Sequence, residues 1–184
     1  MGMSAWSPEY HTVDQVLSFP TDENRYELVY GELLVSPAPS LRHQLIVTRL
    51  AVLLSGYCTR EKVGRALVSP ADLTWGRDDV LAQPDVFVIG DQDASVQQWR
   101  DVRHVPLIAE VISPSTGHHD RFRKRALYRD RRVDVYWIVD PDAAFAEVWT
   151  PNVRFPAIER EQLTWHPERA EKALVIPLAP VFAD

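Results

Sequence analysis

The run Leu107-Ile108-Ala109-Glu110-Val111-Ile112 is almost continuously apolar, with one carboxylate in its middle. Apolar residues without alternation are typical of a strand that is buried on both faces of a sheet. Burying an ionised carboxylate costs several kcal/mol unless a cation, hydrogen bonds or a shifted pKa compensates. Glu110 is therefore predicted to have a partner, either an arginine in a structural ion pair or a bound cation.

The chain on both sides of this strand predicts an α/β fold. Periodicity and turn residues indicate a helix capped by Ser40 that ends near Gly56, strands at 66–75, 84–89 and 105–112, a helix with Asp120 near its start, and strands at 133–139 and 146–149. The order of the first six of these elements, αβββαβ, is typical of helices packed on a mixed β-sheet.

An N-terminal helix and a β-hairpin are predicted to precede this core. Thr12 and Gln15 have the spacing of a capping box, which marks the start of a short helix. Residues 25–36 alternate and turn near Gly31, as in a hairpin. A length of 184 residues fits one domain. We expect a single domain over 1–184, with its core at about 40–150 and an extension over 1–39.

Composition and charge exclude several classes of protein. The chain is 46% hydrophobic and 25% charged, as ordinary globular proteins are. Its net charge of −6 argues against a surface that binds nucleic acid everywhere, so any such contact must be local. Cys58 is the only cysteine, which suits a reducing compartment. No apolar run approaches the roughly 18 to 20 residues of a membrane span. We expect a cytoplasmic protein that does not enter membranes.

A second carboxylate stands at the start of another apolar run, Gln83-Pro84-Asp85-Val86-Phe87-Val88-Ile89. If the two strands are neighbours, Asp85 and Glu110 can supply oxygen ligands to one hard cation such as Mg²⁺. Lys124, on the helix that follows Glu110, could orient or deprotonate a water, or stabilise charge on a phosphoryl group. The alternative is that Asp85 only stabilises the turn after Pro84 and that Lys124 lies on the surface.

These residues, in this order, resemble the Uma-type family of putative restriction endonucleases, within the PD-(D/E)XK nuclease superfamily. The resemblance spans about Tyr26 to Trp149 and rests on Tyr26-Glu27-Leu28-Val29-Tyr30-Gly31-Glu32-Leu33, Pro39-Ser40 with His43, Gln83-Pro84-Asp85, Glu110-Val111-Ile112-Ser113-Pro114-Ser115-Thr116, Asp120, Lys124, Tyr128, Tyr136 and Trp137. A single Pro-Asp pair is uninformative, whereas the ordered set is specific.

The resemblance implies a restriction-endonuclease-like core, Asp85 and Glu110 as ligands of Mg²⁺ or Mn²⁺, and hydrolysis of nucleic-acid phosphodiester bonds, with DNA as the expected substrate. Ile112 stands two residues beyond Glu110, where the superfamily's pattern places its lysine. Families of this superfamily relocate that lysine to the next helix, which makes Lys124 the natural substitute. The resemblance also implies a homodimer, because such nucleases often cut two strands with two sites.

Other side chains have lesser predicted roles. Glu32 on the hairpin is a candidate third metal ligand and Glu27 a weaker one, although charged residues of a hairpin usually face solvent. His43 is expected to contact a phosphate or hold Glu32, unless it only bonds to a nearby loop. The basic run after Asp120 offers phosphate contacts or forms a solvated helix face; its candidates are Arg121, Arg123 and Arg125.

Several residues are expected to support the site rather than react. Ser113 and Ser115, together with Thr116, are predicted to fix the strand-to-helix turn and cap the helix by accepting backbone N–H bonds. Asp120 lies near the start of the following helix. Tyr128, one helical turn beyond Lys124, either steers the amine or packs in the core.

Two other functions stay open at this point. One is a non-catalytic nucleic-acid-binding or homodimeric assembly module on a nuclease scaffold, which Ile112 motivates. The other is a metal-dependent hydrolase of a small phosphoester. For the nuclease, replacing Asp85 or Glu110 by Ala is predicted to abolish cleavage and to leave the fold intact or steadier, because repulsion between two carboxylates is removed.

Overall fold

The computed structural model of the chain describes residues 9–113 and 116–183. In chain order, its helices and strands are α1 (Val13–Leu17), β1 (Arg25–Val29), β2 (Glu32–Ser36), α2 (Leu41–Glu61), β3 (Arg65–Val68), β4 (Val86–Ile89), β5 (Leu107–Val111), a π-helical segment (His119–Lys124), α3 (Arg125–Asp130), β6 (Val135–Asp140), β7 (Phe145–Trp149), β8 (Ala157–Glu159), β9 (Gln162–Trp165), β10 (Leu174–Pro177) and α4 (Leu178–Phe182).

A mixed sheet forms the centre of the described part of the chain, with six strands in the order β3-β4-β5-β6-β7-β8. β5 and β6 run parallel, joined by the π-helical segment and α3, and the other neighbouring pairs are antiparallel. The predicted order αβββαβ is therefore confirmed, from α2 through β6.

Each face of the sheet carries its own hydrophobic core. On one face, Leu50 and Leu54 of α2 are fully buried in the same cluster as Trp137 of β6, together with side chains of β9, β10 and α4. On the other face, Leu127 of α3 is buried in the same cluster as Phe87 and side chains of the β1–β2 hairpin. All five residues of β5 are buried, as its apolar run predicts.

The N-terminal elements form where their local signals predict them. Thr12 caps α1 through the expected capping box with Gln15. β1 and β2 pair as a hairpin whose turn residues Tyr30 and Gly31 both have positive φ, of 53° and 81°. That combination is typical of the two-residue turns that match the twist of a hairpin. Ser40 caps α2 by accepting the N–H of His43.

Two elements differ from the prediction by more than two residues. α2 does not end near Gly56 but continues to Glu61, because an exposed glycine inside a long helix costs only about 1 kcal/mol. The run 66–75 is not one strand: β3 ends at Val68, before Pro70, which has no N–H for a ladder. Only Leu73 pairs again, in an isolated bridge with Ala82.

The strand at 146–149 is not the last element. β8 adds a strand to the sheet, and β9, β10 and α4 follow it. The three strands span only three or four residues each, between turn residues, so their sequences carry little periodicity. β9 and β10 bury Leu163 and Ile176 in the core under α2.

None of the helices within 9–113 and 116–183 is both long and apolar enough to cross a membrane.

Replacing Gly64 by Ala is expected to lower the free energy of unfolding by about 2 kcal/mol or more. Gly64 has φ +132°, and a Cβ there would overlap the carbonyl oxygen of Ile89 on the neighbouring strand. Gly56→Ala is the matched control, since a Cβ at Gly56 meets nothing and the change should add up to about 1 kcal/mol. Urea denaturation of both variants measures the difference, and equal unfolding midpoints would contradict it.

Candidate active site

Asp85 and Glu110 lie side by side at the end of two antiparallel strands. Val86 of β4 is opposite Ala109 of β5, which places Asp85, one residue earlier, beside Glu110. The Asp85 N–H donates to Oε2 of Glu110 at 3.2 Å, and the Val111 N–H donates to Oδ2 of Asp85 at 2.9 Å. Both residues are buried, and both line one cavity of about 230 Å³. We call it the carboxylate cavity.

Lys124 reaches this cavity from the π-helical segment. Its Nζ lies 2.7 Å from Oε1 of Glu110, 3.0 Å from Oε1 of Glu27 and 3.5 Å from Oδ1 of Asp120. The segment has a wide turn, in which the N–H of Arg125 reaches the carbonyl of Asp120 five residues earlier. The Lys124 side chain is 4% exposed, so the alternative that it lies on the surface does not hold.

Glu27 belongs to the cluster, although its position in the hairpin favoured a solvent-facing role. Its side chain is buried, and Oε1 accepts the Gln83 N–H at 2.7 Å as well as facing Lys124. The hairpin is covered on both sides at this point, since Glu27, Leu28 and Val29 are all buried. In the sequence, Glu27 stands between Tyr26 and Leu28-Val29, and an acid with apolar neighbours is also the signal that identified Glu110.

Arg25 and His43 hold the carboxylate of Asp85. Nη1 of Arg25 lies 3.0 Å from Oδ1 and also donates to the Gln83 carbonyl at 3.2 Å. Nε2 of His43 lies 3.1 Å from Oδ2. The arginine ion pair considered for Glu110 is thus made by Asp85, whereas Glu110 pairs with Lys124. Arg25 was not among the predicted site residues, because nothing local links it to a carboxylate 60 residues away.

The pKa values of the two carboxyl groups are pushed apart. Burial opposes ionisation of Asp85, but the His43 hydrogen bond and the Arg25 charge outweigh it and hold the pKa of Asp85 well below its usual range. For Glu110, burial outweighs the attraction of Lys124, the charge of Asp85 adds to it, and the pKa rises to about 8. Burial also raises the pKa of Asp120. One site therefore holds an ionised and a protonated acid near neutral pH.

Lys124 keeps its proton in this arrangement. Burial disfavours the ammonium, but Glu110, Glu27 and Asp120 outweigh burial and raise the pKa of Lys124 well above its ordinary value. A group with such a pKa donates hydrogen bonds and cannot accept a proton from water.

Besides Asp120, which faces Lys124, two more of the predicted supporting residues make direct contacts. The Tyr128 hydroxyl is buried and donates to Oε1 of Glu110 at 2.7 Å, so Tyr128 positions the acid rather than the amine. The Ser113 N–H donates to Oγ1 of Thr116 at 3.0 Å, which closes the turn after β5. In this bond Thr116 accepts a backbone N–H, as predicted. Ser115 lies outside the described residues.

Glu32 lies apart from these groups. It does not line the carboxylate cavity. It lines a second cavity, together with Tyr10 and Phe122. Its carboxylate pairs with Arg123 at 3.1 Å, and His43 contacts Asp85 instead of Glu32. The structure thus brings Glu27, and not Glu32, to the other acids.

The predicted phosphate-binding arginines also lie outside the carboxylate cavity. Arg121 pairs with Glu147 at 2.6 Å and with Asp140 at 3.0 Å. The guanidinium of Arg125 stacks over the Trp149 ring, 4.3 Å from its centroid. Arg123, as above, pairs with Glu32. These charges are engaged within the protein, which favours a structural role for this helix face.

The side chains of the carboxylate cavity suit a hard divalent cation in type and charge. Four carboxylates, Glu27, Asp85, Glu110 and Asp120, share the cavity with two permanent cations, Arg25 and Lys124. When all four acids are ionised, two negative charges are in surplus, which one divalent cation would balance. Within the described ranges no three acids, histidines or cysteines are grouped as ligands around a common point, and the Lys124 ammonium lies between Glu27 and Glu110.

Comparisons with known proteins agree with this fold. A family model described as Uma2, putative restriction endonuclease, matches residues 9–179. The crystal structure of a putative nuclease belonging to DUF820 from Anabaena variabilis ATCC 29413 superposes with a TM-score of 0.76 at 19% identity, over 93% of this chain and 97% of that one. At that identity the likeness shows the fold alone. No curated protein matches the sequence.

Proposed function

Because the chain belongs to the Uma2 family of putative restriction endonucleases, we propose that it is a metal-dependent endonuclease that hydrolyses phosphodiester bonds of DNA. The observation that carries the proposal is the meeting of three groups in one cavity. The Asp85 N–H is bonded to the Glu110 carboxylate, and the Lys124 ammonium lies 2.7 Å from the same carboxylate. Two acids and an amine are the set that the superfamily resemblance implies.

Asp85 and Glu110 would hold Mg²⁺ or Mn²⁺, with Glu27 in the third position first assigned to Glu32. When bound, such an ion supplies a Lewis acid for a phosphoryl oxygen and lowers the pKa of a bound water. Asp85 is ready for this role because its pKa is held low. Tyr128 fixes the orientation of Glu110 through its hydroxyl.

Lys124 acts as a cation rather than as a base. Its raised pKa removes one of the roles considered from sequence, deprotonation of the attacking water. Its N–H groups can instead donate to an oxygen of the phosphoryl group, on which negative charge grows in the transition state. Glu27 and Asp120 keep the ammonium in place from two sides.

Incubation of the purified chain with end-labelled single-stranded and duplex DNA tests the proposal. We expect products with Mg²⁺ or Mn²⁺ and none with a chelator. Absence of cleavage with both metals, together with no metal binding by calorimetry, would overturn it. DNA binding without metal that is lost when Arg123 and Arg125 are neutralised would favour the binding module. A homodimer and a cytoplasmic location stay predictions.

Binding of Mn²⁺ is expected to strengthen as the pH rises towards 8. The pKa of Glu110 is raised to about 8, so below that pH the ion must displace a proton from this acid. Affinity should rise by up to about tenfold per pH unit for one displaced proton. Calorimetry in buffers with different ionisation enthalpies measures both the affinity and the released proton. An affinity that does not change between pH 6 and 8 would contradict the expectation.

A further inference from the structure

Arg25 presents unused hydrogen-bond donors to the carboxylate cavity. Its Nη1 donates to the Gln83 carbonyl and to Asp85, whereas Nη2 and Nε have no hydrogen-bond partner within residues 9–113 and 116–183. The side chain is 23% exposed, and no other arginine of these ranges lines the cavity. A guanidinium has five N–H donors in a rigid fork, so most of its donor capacity remains available.

The other permanent cation of the cavity is already engaged. Lys124 is 4% exposed and faces Glu27, Glu110 and Asp120 within 3.5 Å. Among the described residues, Arg25 forms an ion pair with Asp85 alone, and the charges of Glu110 and Glu27 act on it from farther away. If Asp85 shares its charge with a metal ion, Arg25 becomes the cation with the least compensated charge. The four carboxylates of the cavity repel an incoming phosphodiester anion. Arg25 can attract this anion, because its positive charge is the least compensated one in the cavity.

We propose that Arg25 is a catalytic residue of the hydrolysis proposed above, on which this inference rests: its free N–H groups bind a non-bridging oxygen of the scissile phosphate. The fork of a guanidinium matches two oxygens of a phosphate and keeps its charge at any working pH. Donors of this kind stabilise the negative charge that accumulates on phosphoryl oxygens in the transition state. Gln83 fixes the guanidinium through its carbonyl, so little reorganisation is needed.

The competing role is positional: Arg25 could serve only to keep Asp85 ionised and oriented for metal. The two roles predict opposite changes in metal affinity. A positioning residue weakens metal binding when it is removed, and excess metal then restores cleavage. A phosphate-binding residue leaves metal affinity equal or tighter when it is removed, because a nearby positive charge is lost, while phosphodiester binding falls.

The test compares Arg25→Met and Arg25→Lys with the wild type, and with Arg169→Met as a control at an exposed arginine. Three quantities are measured: the Mn²⁺ dissociation constant, binding of the dinucleotide thymidylyl-thymidine in Ca²⁺ by NMR, and kcat/KM for DNA in saturating Mn²⁺. We expect Arg25→Met to lower kcat/KM by about 10²-fold or more and to weaken dinucleotide binding at least about tenfold. The Mn²⁺ dissociation constant should not increase. Arg25→Lys should recover only part, since an ammonium lacks the fork.

Weaker Mn²⁺ binding by Arg25→Met, with cleavage restored by excess Mn²⁺, would overturn the proposal in favour of positioning. Unchanged kcat/KM and dinucleotide binding in both Arg25 variants would also overturn it. Arg25→Lys keeps a charge beside Asp85 and decides the matter if Arg25→Met does not fold. If the wild type fails to cleave DNA, the proposed function fails, and dinucleotide binding by the wild type and the variants still judges phosphate recognition by Arg25.

Discussion

Asp85→Asn is expected to reduce metal-dependent DNA cleavage by about 10³-fold or more. Mutating a residue that only hydrogen-bonds to a metal ligand already lowers metal affinity or activity by about 10- to 100-fold, and loss of the ligand itself should cost more. Asparagine keeps the shape of the side chain but removes the charge that Arg25 and His43 hold beside Glu110. Initial cleavage rates in saturating Mn²⁺ measure the loss. Glu168→Gln, at an exposed acid, is the control and should cleave as the wild type does. A residual rate above about one tenth would contradict the role of Asp85 as a ligand.

Asp85→Asn should also destabilise the fold. The pKa of Asp85 is depressed in the folded state, so its contribution to stability is present above its unfolded pKa and is lost as the pH falls through the folded one. At neutral pH the variant should lose on the order of 3 kcal/mol. Glu110 behaves in the opposite way: because its pKa is raised in the folded state, stability falls as the pH rises from about 4.5 to about 8 and is not regained above that. We therefore keep the sequence-based expectation, that the fold stays intact or becomes steadier without the acid, for Glu110 alone.

Lys124→Met is expected to lower the free energy of unfolding by about 3 to 5 kcal/mol at pH 8. Three buried carboxylates, Glu27, Glu110 and Asp120, would lose the cation that lies among them. The loss should be smaller at pH 5, where more of these acids are protonated. Urea denaturation at the two pH values measures both effects.

Mn²⁺ should return part of the stability of Lys124→Met, because an ion that binds only the folded state stabilises it by mass action. Cleavage should not return, because the variant lacks the ammonium that stabilises negative charge on the phosphoryl group in the transition state. Lys172→Met removes an exposed lysine and provides the control for the loss of one positive charge. Unfolding curves of Lys124→Met that coincide with those of the wild type would show that the buried cluster does not depend on the ammonium.

The parts of the fold that the sequence predicts are those with strong local signals. β5 is apolar except for Glu110 and is buried on both faces, and α2 follows helical spacing from its Ser40 cap. β8, β9 and β10 escape prediction because strands of three or four residues are too short to show alternation. Their positions depend on tertiary packing, such as that of Leu163 and Ile176 under α2.

In the candidate site, too, the residues with a local sequence signal could be predicted, and those whose contacts depend on tertiary packing could not. Asp85, Glu110 and Lys124 could be proposed from sequence because each is a charge beside an apolar strand or on the helix that follows one. Arg25 could not, since its contact with Asp85 depends on how the hairpin packs against β4. Nor could the engagement of Arg121, whose partners lie on β6 and β7. Which ion pairs form is a property of the assembled sheet.

The proposed hydrolysis requires Asp85 and Glu110 to bind one divalent cation. A crystal structure of the protein soaked with Mn²⁺, with anomalous scattering recorded at the manganese edge, tests it most directly. We expect one ion bonded to a carboxylate oxygen of each residue, at about 2.0 to 2.3 Å, with the Lys124 ammonium moved away from Glu110. A structure without manganese in the carboxylate cavity, in which Lys124 still joins Glu27 to Glu110, would contradict it.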